Sequence, residues 1–355
     1  MTDFASFESR LYPPYLPEDR QALTAFLLER GLQWEEDIDF SVAGLVNGVM
    51  VGTGSLAGRI IKCLAVDEAI QGEGLAAIMV SRLEMEAAAR GIANPFVFTR
   101  PGNLELFSSM GYRAIGEVPG ALVLLERGRG LQRWLHSLER LAAELPAMAL
   151  QGPVAALVMN CNPLTLGHLH LINTAAAASA RVFLFLVAEE ASVFPSEVRL
   201  RLVRQATASI PNITVVPGTE YLVSHATFPA YFLRDSPCSL AETHARLDAD
   251  IFARHIAPAV GAWRRFIGEE PSCPVTAIYN CALQETLPRH GIDVVEIPRL
   301  AVDGKPVSAS TVRRHLREGN PEAALRLVPP ATAAYLASEE SAPVIARIVA
   351  GNGRH

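Results

Sequence analysis

Long apolar runs, paired cysteines and a surplus of basic charge are all missing from this chain of 355 residues, and each absence closes off a class of function. The most apolar region, Ile172 to Val187, is broken by Asn173 and Arg181 and changes pattern midway, so it does not read as a membrane span. Met1 to Ser9 carries acids and no basic-then-apolar order, which predicts no secretory leader. The five cysteines (Cys63, Cys161, Cys238, Cys273 and Cys281) are odd in number and include no Cys-x-x-Cys pair. Free thiols in a reducing, cytoplasmic setting fit that pattern, and no metal centre is expected. A net charge of −6 argues against a nucleic-acid partner. It leaves nucleotides open, because those need only a local positive patch.

What is present is ordinary in bulk and specific in pattern. Half of the residues (50%) are hydrophobic and 19% are charged, enough for full cores, and the length suggests about two domains. The chain is organised around one stretch. Val154 to Met159 reads as a strand buried on both faces. Asn162-Pro163 is a turn signal, Thr165-Leu166-Gly167-His168 follows, and Leu169 to Ala180 reads as helix. A strand, a tight glycine-bearing turn and a helix N-terminus together suit an anion, because the unpaired first-turn amides and the helix dipole both favour one. Gly167 would let backbone and phosphate approach closely, and His168 would add a donor. In isolation Asn-Pro is a plain turn and His168 a plain cap; the flanking strand and helix change that balance. Thr165-x-Gly167-His168 resembles the (His/Thr)-x-Gly-His signature of the nucleotidyltransferase superfamily.

A second strand–glycine–helix sequence lies earlier. After a helix expected over Pro17 to Gly31, strands are expected at Ile38 to Val46 and Gly48 to Leu56, with Asn47-Gly48 as a hairpin signal. Arg59 to Val66 is a third strand and leads into Gln71-Gly72-Glu73-Gly74-Leu75-Ala76 and a helix to about Arg90. Its exposed amides could cradle a pyrophosphate. This stretch resembles the (Gln/Arg)-x-x-Gly-x-(Gly/Ala) motif of the GNAT N-acetyltransferase fold, and Asn103 to Arg113 resembles that fold's next motif, a helix ending in Gly-(Phe/Tyr). No general base for acetyl transfer can be picked from the residues. Arg127 to Gly130 breaks this domain, and Leu131, Trp134, Leu135, Leu138 and Leu141 recur at helical spacing, predicting a connecting amphipathic helix to about Leu145. Domain limits of 1–130, 131–152 (linker helix) and 153–355 follow.

From Val154 onward strands and helices alternate. Arg181 to Val187, Ile213 to Val216, Val275 to Tyr279 and Val294 to Ile297 are expected as strands, and Ser196 as a helix cap. The fold class is therefore α/β: an N-terminal GNAT-like α+β domain, then a Rossmann-like, doubly wound parallel-sheet domain with ligands at the carboxyl ends of its strands. Near the end, Ser308 or Ser310 is a natural N-cap, while Arg313 and Arg314 are the wrong sign for a first helical turn unless an anion binds there. Ser308-Ala309-Ser310-Thr311-Val312-Arg313 resembles, in part, the second nucleotidyltransferase signature, Ser-Ser-Thr-x-x-Arg.

Three stretches sharpen the match: Val187 to Pro195, Gly218 to Pro229, and Arg265 to Asn280 with Gly268 inside it. With the GNAT-like domain in front, nearly the whole chain resembles the [citrate (pro-3S)-lyase] ligase family. The resemblance implies an AMP-forming acid–thiol ligase. Its substrates are ATP, carried with Mg²⁺, acetate, and the thiol of a dephospho-coenzyme A-type prosthetic group on the acyl carrier subunit of citrate lyase. No permanently bound cofactor, nucleic acid or membrane partner is implied. On that reading His168, Thr165 and Arg313 are catalytic, and Asn162, Pro163, Gly167, Gly268, Ser308, Ser310 and Thr311 hold nucleotide, with Lys305 a weaker candidate. Gln71, Gly72, Gly74 and Ala76 hold the prosthetic group. His170 and Cys161 read as structural, and His225 as a loop residue. Two other readings stay open: an adenylyltransferase acting on a small phosphate such as phosphopantetheine, and a non-catalytic nucleotide- or coenzyme A-binding regulator.

Overall fold

The structure is a computed structural model, and it describes residues 8–12, 16–72, 74–145, 152–188, 192–222, 239–270 and 273–351. These residues pack as two units, one running to Trp134 together with 239–243, the other from Leu135 onward.

The first unit is built on a seven-stranded sheet in the order β1-β2-β3-β4-β5-β7-β6. Its strands are β1 (Glu8–Tyr12), β2 (Phe40–Val46), β3 (Val49–Ala57), β4 (Ile60–Val66), β5 (Phe96–Thr99), β6 (Tyr112–Val118) and β7 (Leu122–Arg127). Helix α1 is Pro17–Leu28, α2 is Leu75–Ala89 and α3 is Leu104–Ser109. The Asn47-Gly48 hairpin forms where the dipeptide places it, with φ of 51° and 76°, the left-handed pair that a two-residue turn between twisted strands requires. Helix α2 lies so close to the sheet that a Cβ on Gly44 or Gly52 would stand 2.9 Å from the Leu75 side chain. Leu75, Met79 and Leu83 are buried there with Val42, Leu56 and Ile61. Strands β4 and β5 are parallel and pair only at Ile60–Phe96 and Ile61–Val97.

Helix α4 (Gly130–Glu144) follows, close to the expected linker helix, with Leu131 and Leu138 buried. Glu126 fixes its start by accepting the Leu131 amide on both carboxylate oxygens at 3.1 and 3.3 Å.

The second unit carries a five-stranded sheet of order β10-β9-β8-β11-β12, parallel throughout. The strands are β8 (Val154–Met159), β9 (Arg181–Leu186), β10 (Ile213–Pro217), β11 (Arg264–Gly268) and β12 (Asp293–Ile297). The chain winds outward from β8 in one direction to β10 and returns to build β11 and β12 on the other side. The order therefore reverses between β8 and β11, and a doubly wound sheet has its ligand crevice at the carboxyl ends beside such a reversal. Those two strands pair only at Ala155–Arg264 and Ala156–Arg265, in the first half of β8.

The helices are α5 (Leu166–Ala177), α6 (Ser196–Thr207), α7 (Leu240–Ile251), α8 (Ala257–Val260), α9 (Pro274–Thr286), α10 (Ala309–Arg317), α11 (Pro321–Leu325), α12 (Pro330–Leu336) and α13 (Ala342–Ala350). A π-turn at Phe252–Ile256 joins α7 to α8. One core holds Leu157, Ile172, Ala175, Leu184 and Phe266 between sheet and helix. A second joins Phe194 and Leu202 to Val312, Leu316, Tyr335 and Ile348, so α10 packs on the α6 segment. Among the described residues no helix is long and apolar enough to cross a membrane.

Two local expectations are corrected. Val275 to Tyr279 is the first part of α9, because Cys273 is its N-cap and Pro274 sits in the first turn, where a missing N–H costs nothing. The strand is instead Arg264–Gly268, whose two arginines obscure it; Arg264 stacks on Trp263, and Arg265 is buried over Phe252. Ser196 begins α6 but does not cap it: Pro195 is the N-cap and makes no side-chain bond.

Candidate nucleotide site and its sequence relatives

The turn after β8 is closed by reciprocal bonds. Thr165 is the N-cap of α5, and its Oγ1 accepts the His168 amide at 3.3 Å. In return His168 Nδ1 accepts the Thr165 amide at 3.1 Å and lies 2.9 Å from Thr165 Oγ1. With donors converging on Nδ1, the proton of the neutral ring sits on Nε2. Burial, and then the nearby charge of Arg299, push the His168 pKa down to about 4, so the ring is neutral near pH 7. Nε2 has no partner among the described residues and is not sealed from solvent. The Leu166 amide is taken by the Leu327 carbonyl at 2.9 Å. The Gly167 amide has no protein acceptor among the described residues, so one backbone donor and one imidazole donor remain open at this helix start.

Glycine is required at 167 for a reason the sequence does not show. A Cβ there would stand 2.9 Å from the Val307 carbonyl, the residue just before the second signature. Ser308 then caps α10, its Oγ accepting the Thr311 amide at 3.1 Å and lying 2.9 Å from both Ser310 Oγ and Thr311 Oγ1. Arg313 is 8% exposed and donates through Nη1 to the Asn162 carbonyl, and its burial lowers its pKa. The two signatures, about 140 residues apart in sequence, are thus joined at Gly167–Val307 and at Asn162–Arg313. Asn162 uses its side chain as well, accepting the Phe194 amide at 3.0 Å, and a cis peptide precedes Pro163. Gly268 ends β11; its carbonyl accepts Asn280 Nδ2 at 2.9 Å, and its Cα faces Leu171 of α5. Lys305 is exposed on a short hairpin, and Cys161 is buried, its thiol pushed up to about 12 by that burial.

Sequence reasoning missed two arginines here. Arg199 is fully buried in α6 and donates to the carbonyls of Asn160 (2.8 Å), Val187 (2.7 Å) and Phe194 (3.0 Å), gathering the loops around the turn. A signal existed: positions 199, 202, 203 and 206 form one helical stripe, so Arg199 interrupts an apolar face. Arg299 follows β12 and pairs with Glu270, with Nε donating to the Glu269 carbonyl at 2.8 Å. Nothing in its local pattern marks it.

In the first unit the corresponding turn is built of backbone. Gly72 and Gly74 have φ of 91° and 83°, and Gly74 is the N-cap of α2 with no side-chain bond. The amides of Gly72, Gly74, Leu75 and Ala76 have no acceptor among the described residues. Asp67 steadies the approach, accepting the Ala69 amide at 3.0 Å and Arg30 Nη2 at 2.7 Å, while Gln71 Nε2 reaches the Val66 carbonyl at 3.4 Å. Glu73, His225, and parts of the 187–195, 218–229 and 265–280 stretches lie outside the described residues.

Sequence comparison places the chain in a family. The family model for the citrate lyase ligase C-terminal domain matches residues 154–336. A [citrate [pro-3S]-lyase] ligase of Klebsiella pneumoniae is 37% identical over 322 residues, covering 89% of this chain and 92% of that protein. One from Haemophilus influenzae is 36% identical, covering 88% of this chain and 94% of its own length. The chain belongs to the citrate lyase ligase family. Two solved structures overlap it in part. An acyl-CoA N-acyltransferase from Pseudomonas aeruginosa is 12% identical, spans 35% of this ligase-family chain and 100% of its own, and aligns with a TM-score of 0.31. Pantoate-beta-alanine ligase from Francisella tularensis is 12% identical, spans 53% of this chain and 76% of its own, and aligns at 0.37.

Proposed function

We propose that this chain activates citrate lyase by acetylating its prosthetic-group thiol at the expense of ATP. Acetate oxygen attacks the α-phosphorus, the bond to the β-phosphate oxygen breaks, and acetyl-adenylate and pyrophosphate form. The thiol then attacks the acetyl carbonyl, AMP leaves, and the thiol proton passes to solvent. The observation that carries this reading is the pair of signatures locked together at the switch point, with His168 Nε2 and the Gly167 amide without a protein partner among the described residues.

Catalysis of the first step is orientation plus stabilisation of the charge that builds on the departing pyrophosphate. Thr165 holds the His168 ring so that Nε2–H donates to phosphate without the ring carrying a charge. Ser310 and Thr311 offer hydroxyls to the β and γ phosphates. Asn162, Pro163 and Gly268 shape the turn and the strand end, and Arg313, bound to Asn162, adds positive potential beneath them. On this reading Mg²⁺ arrives with ATP, on its phosphates. In the first unit Gln71, Gly72, Gly74 and Ala76 receive the pyrophosphate of the prosthetic group. The division of roles follows the limits 1–130, 131–152 and 153–355, and the setting is cytoplasmic.

The test supplies deacetylated citrate lyase, ATP, Mg²⁺ and acetate. The reading expects one AMP and one pyrophosphate per acetylated thiol, with lyase activity restored; ATP cleavage to ADP, or no reactivation, contradicts it.

A further inference from the structure

We propose that Arg299, outside both signatures, is a binding residue for the polyphosphate tail of the nucleotide, and that Glu270 is the positioning residue that holds it. This rests on the adenylate-forming reading above. The site needs a cation. Pyrophosphate departs with several negative charges, yet His168 is neutral, Arg313 is buried against the Asn162 carbonyl, and Arg199 is buried among loop carbonyls. Arg299 differs. Its Nε goes to the Glu269 carbonyl and its Nη2 to Glu270, while Nη1 has no protein partner among the described residues and is not sealed from solvent.

Two independent connections bring that open edge to the crevice. Leu300, the next residue, accepts the Val307 amide at 2.9 Å, and Val307 itself lies over Gly167. Glu269, whose carbonyl holds Arg299, continues from β11 and donates its amide to the Ile297 carbonyl at 2.9 Å, so both flanks of Arg299 are pinned at the carboxyl ends of β11 and β12. The field of Arg299 is felt at His168, where it opposes a second positive charge. Glu270 is committed on both sides: its side chain is 6% exposed, and Oε1 accepts the Cys273 amide at the start of α9 at 3.0 Å. It therefore fixes the guanidinium plane and leaves Nη1 facing outward. A guanidinium edge beside an imidazole N–H and an open backbone amide is a donor set for phosphate oxygens.

The experiment measures binding of inorganic pyrophosphate, ATP and AMP to the full chain by calorimetry, for wild type, Arg299→Ala, Arg299→Lys and Glu270→Gln. Arg299→Ala should weaken pyrophosphate and ATP by about tenfold or more, the scale of one charge-assisted hydrogen bond. AMP should change by less than about threefold on the same scale. Arg299→Lys should recover part of the loss, and Glu270→Gln should show a smaller loss with the same selectivity. In turnover, KM for ATP should rise more than kcat falls. Equal weakening of AMP and pyrophosphate, or unchanged pyrophosphate binding in folded Arg299→Ala and Arg299→Lys, overturns the assignment. A wild-type chain that binds none of the three ligands removes the adenylate reading along with it, so the two failures are distinguishable.

Discussion

The chain writes strand, glycine, helix twice, and the two turns solve different problems. At Gly74 the glycine is needed for its backbone: φ is 83°, a would-be Cβ meets no non-neighbouring atom within 4 Å among the described residues, and the helix-start amides have no acceptor among them. At Gly167 the glycine is needed for space, because the Val307 carbonyl occupies the place of a side chain. The first turn is made of backbone, the kind of amide concavity that suits an anion. The second is built by side chains, through the Thr165–His168 exchange, Arg313 and Arg199, and it depends on distant sequence. The proposed recognition role and the proposed reactive role divide along that line.

The contrast breaks first at its strongest support. Arg199→Leu strips donors from three carbonyls, one buried and two half-buried, each costing up to about 1–3 kcal/mol when left unmet. The second unit should lose several kcal/mol, to the order of 3–5, read as an earlier denaturation midpoint, while spectroscopic probes in the first unit unfold as before. Gly167→Ala should cost about 1–3 kcal/mol and abolish most ATP-dependent chemistry, because Val307 and the second signature must move. An Ala at 167 with unimpaired chemistry would show that the contact with Val307 is incidental. Gly74→Val is milder. It should cost about 1–2 kcal/mol for the left-handed backbone and raise KM for the lyase, with adenylate formation intact; equal loss of both steps would end the division of labour.

A separate effect is in pH. The folded His168 pKa, about 4, lies below its ordinary value near 6.5. Between those values the unfolded chain binds a proton that the folded chain does not, so stability is full above about pH 6.5 and declines as pH falls toward about 4. Protonation at Nδ1 also removes the acceptor for the Thr165 amide. His168→Gln should flatten that decline in urea midpoints measured from pH 7 to pH 4.

The ends of β8, the Asn47-Gly48 hairpin, the Ser308 cap and both glycine turns were legible because each is local: propensity, turn chemistry and capping act within a few residues. Val275 to Tyr279 misled because β-branched residues read as strand, whereas Pro274 and the packing of α9 decide the matter. Arg264–Gly268 hid as a strand because its arginines are covered by Trp263 and Phe252, partners set by the tertiary fold. The two signatures could be read from the sequence as candidates. Their mutual lock could not, since nothing near Gly167 announces Val307 and nothing near Arg299 announces Glu270.

On the proposed function, the second unit makes acetyl-adenylate with its own residues. The direct measurement is exchange of labelled pyrophosphate into ATP, with Mg²⁺ and without citrate lyase, in the presence and absence of acetate. Exchange should require acetate and fall by about 10²–10³ in His168→Ala, the range for losing one donor to developing charge. Exchange indifferent to acetate, or undiminished in His168→Ala, would contradict it.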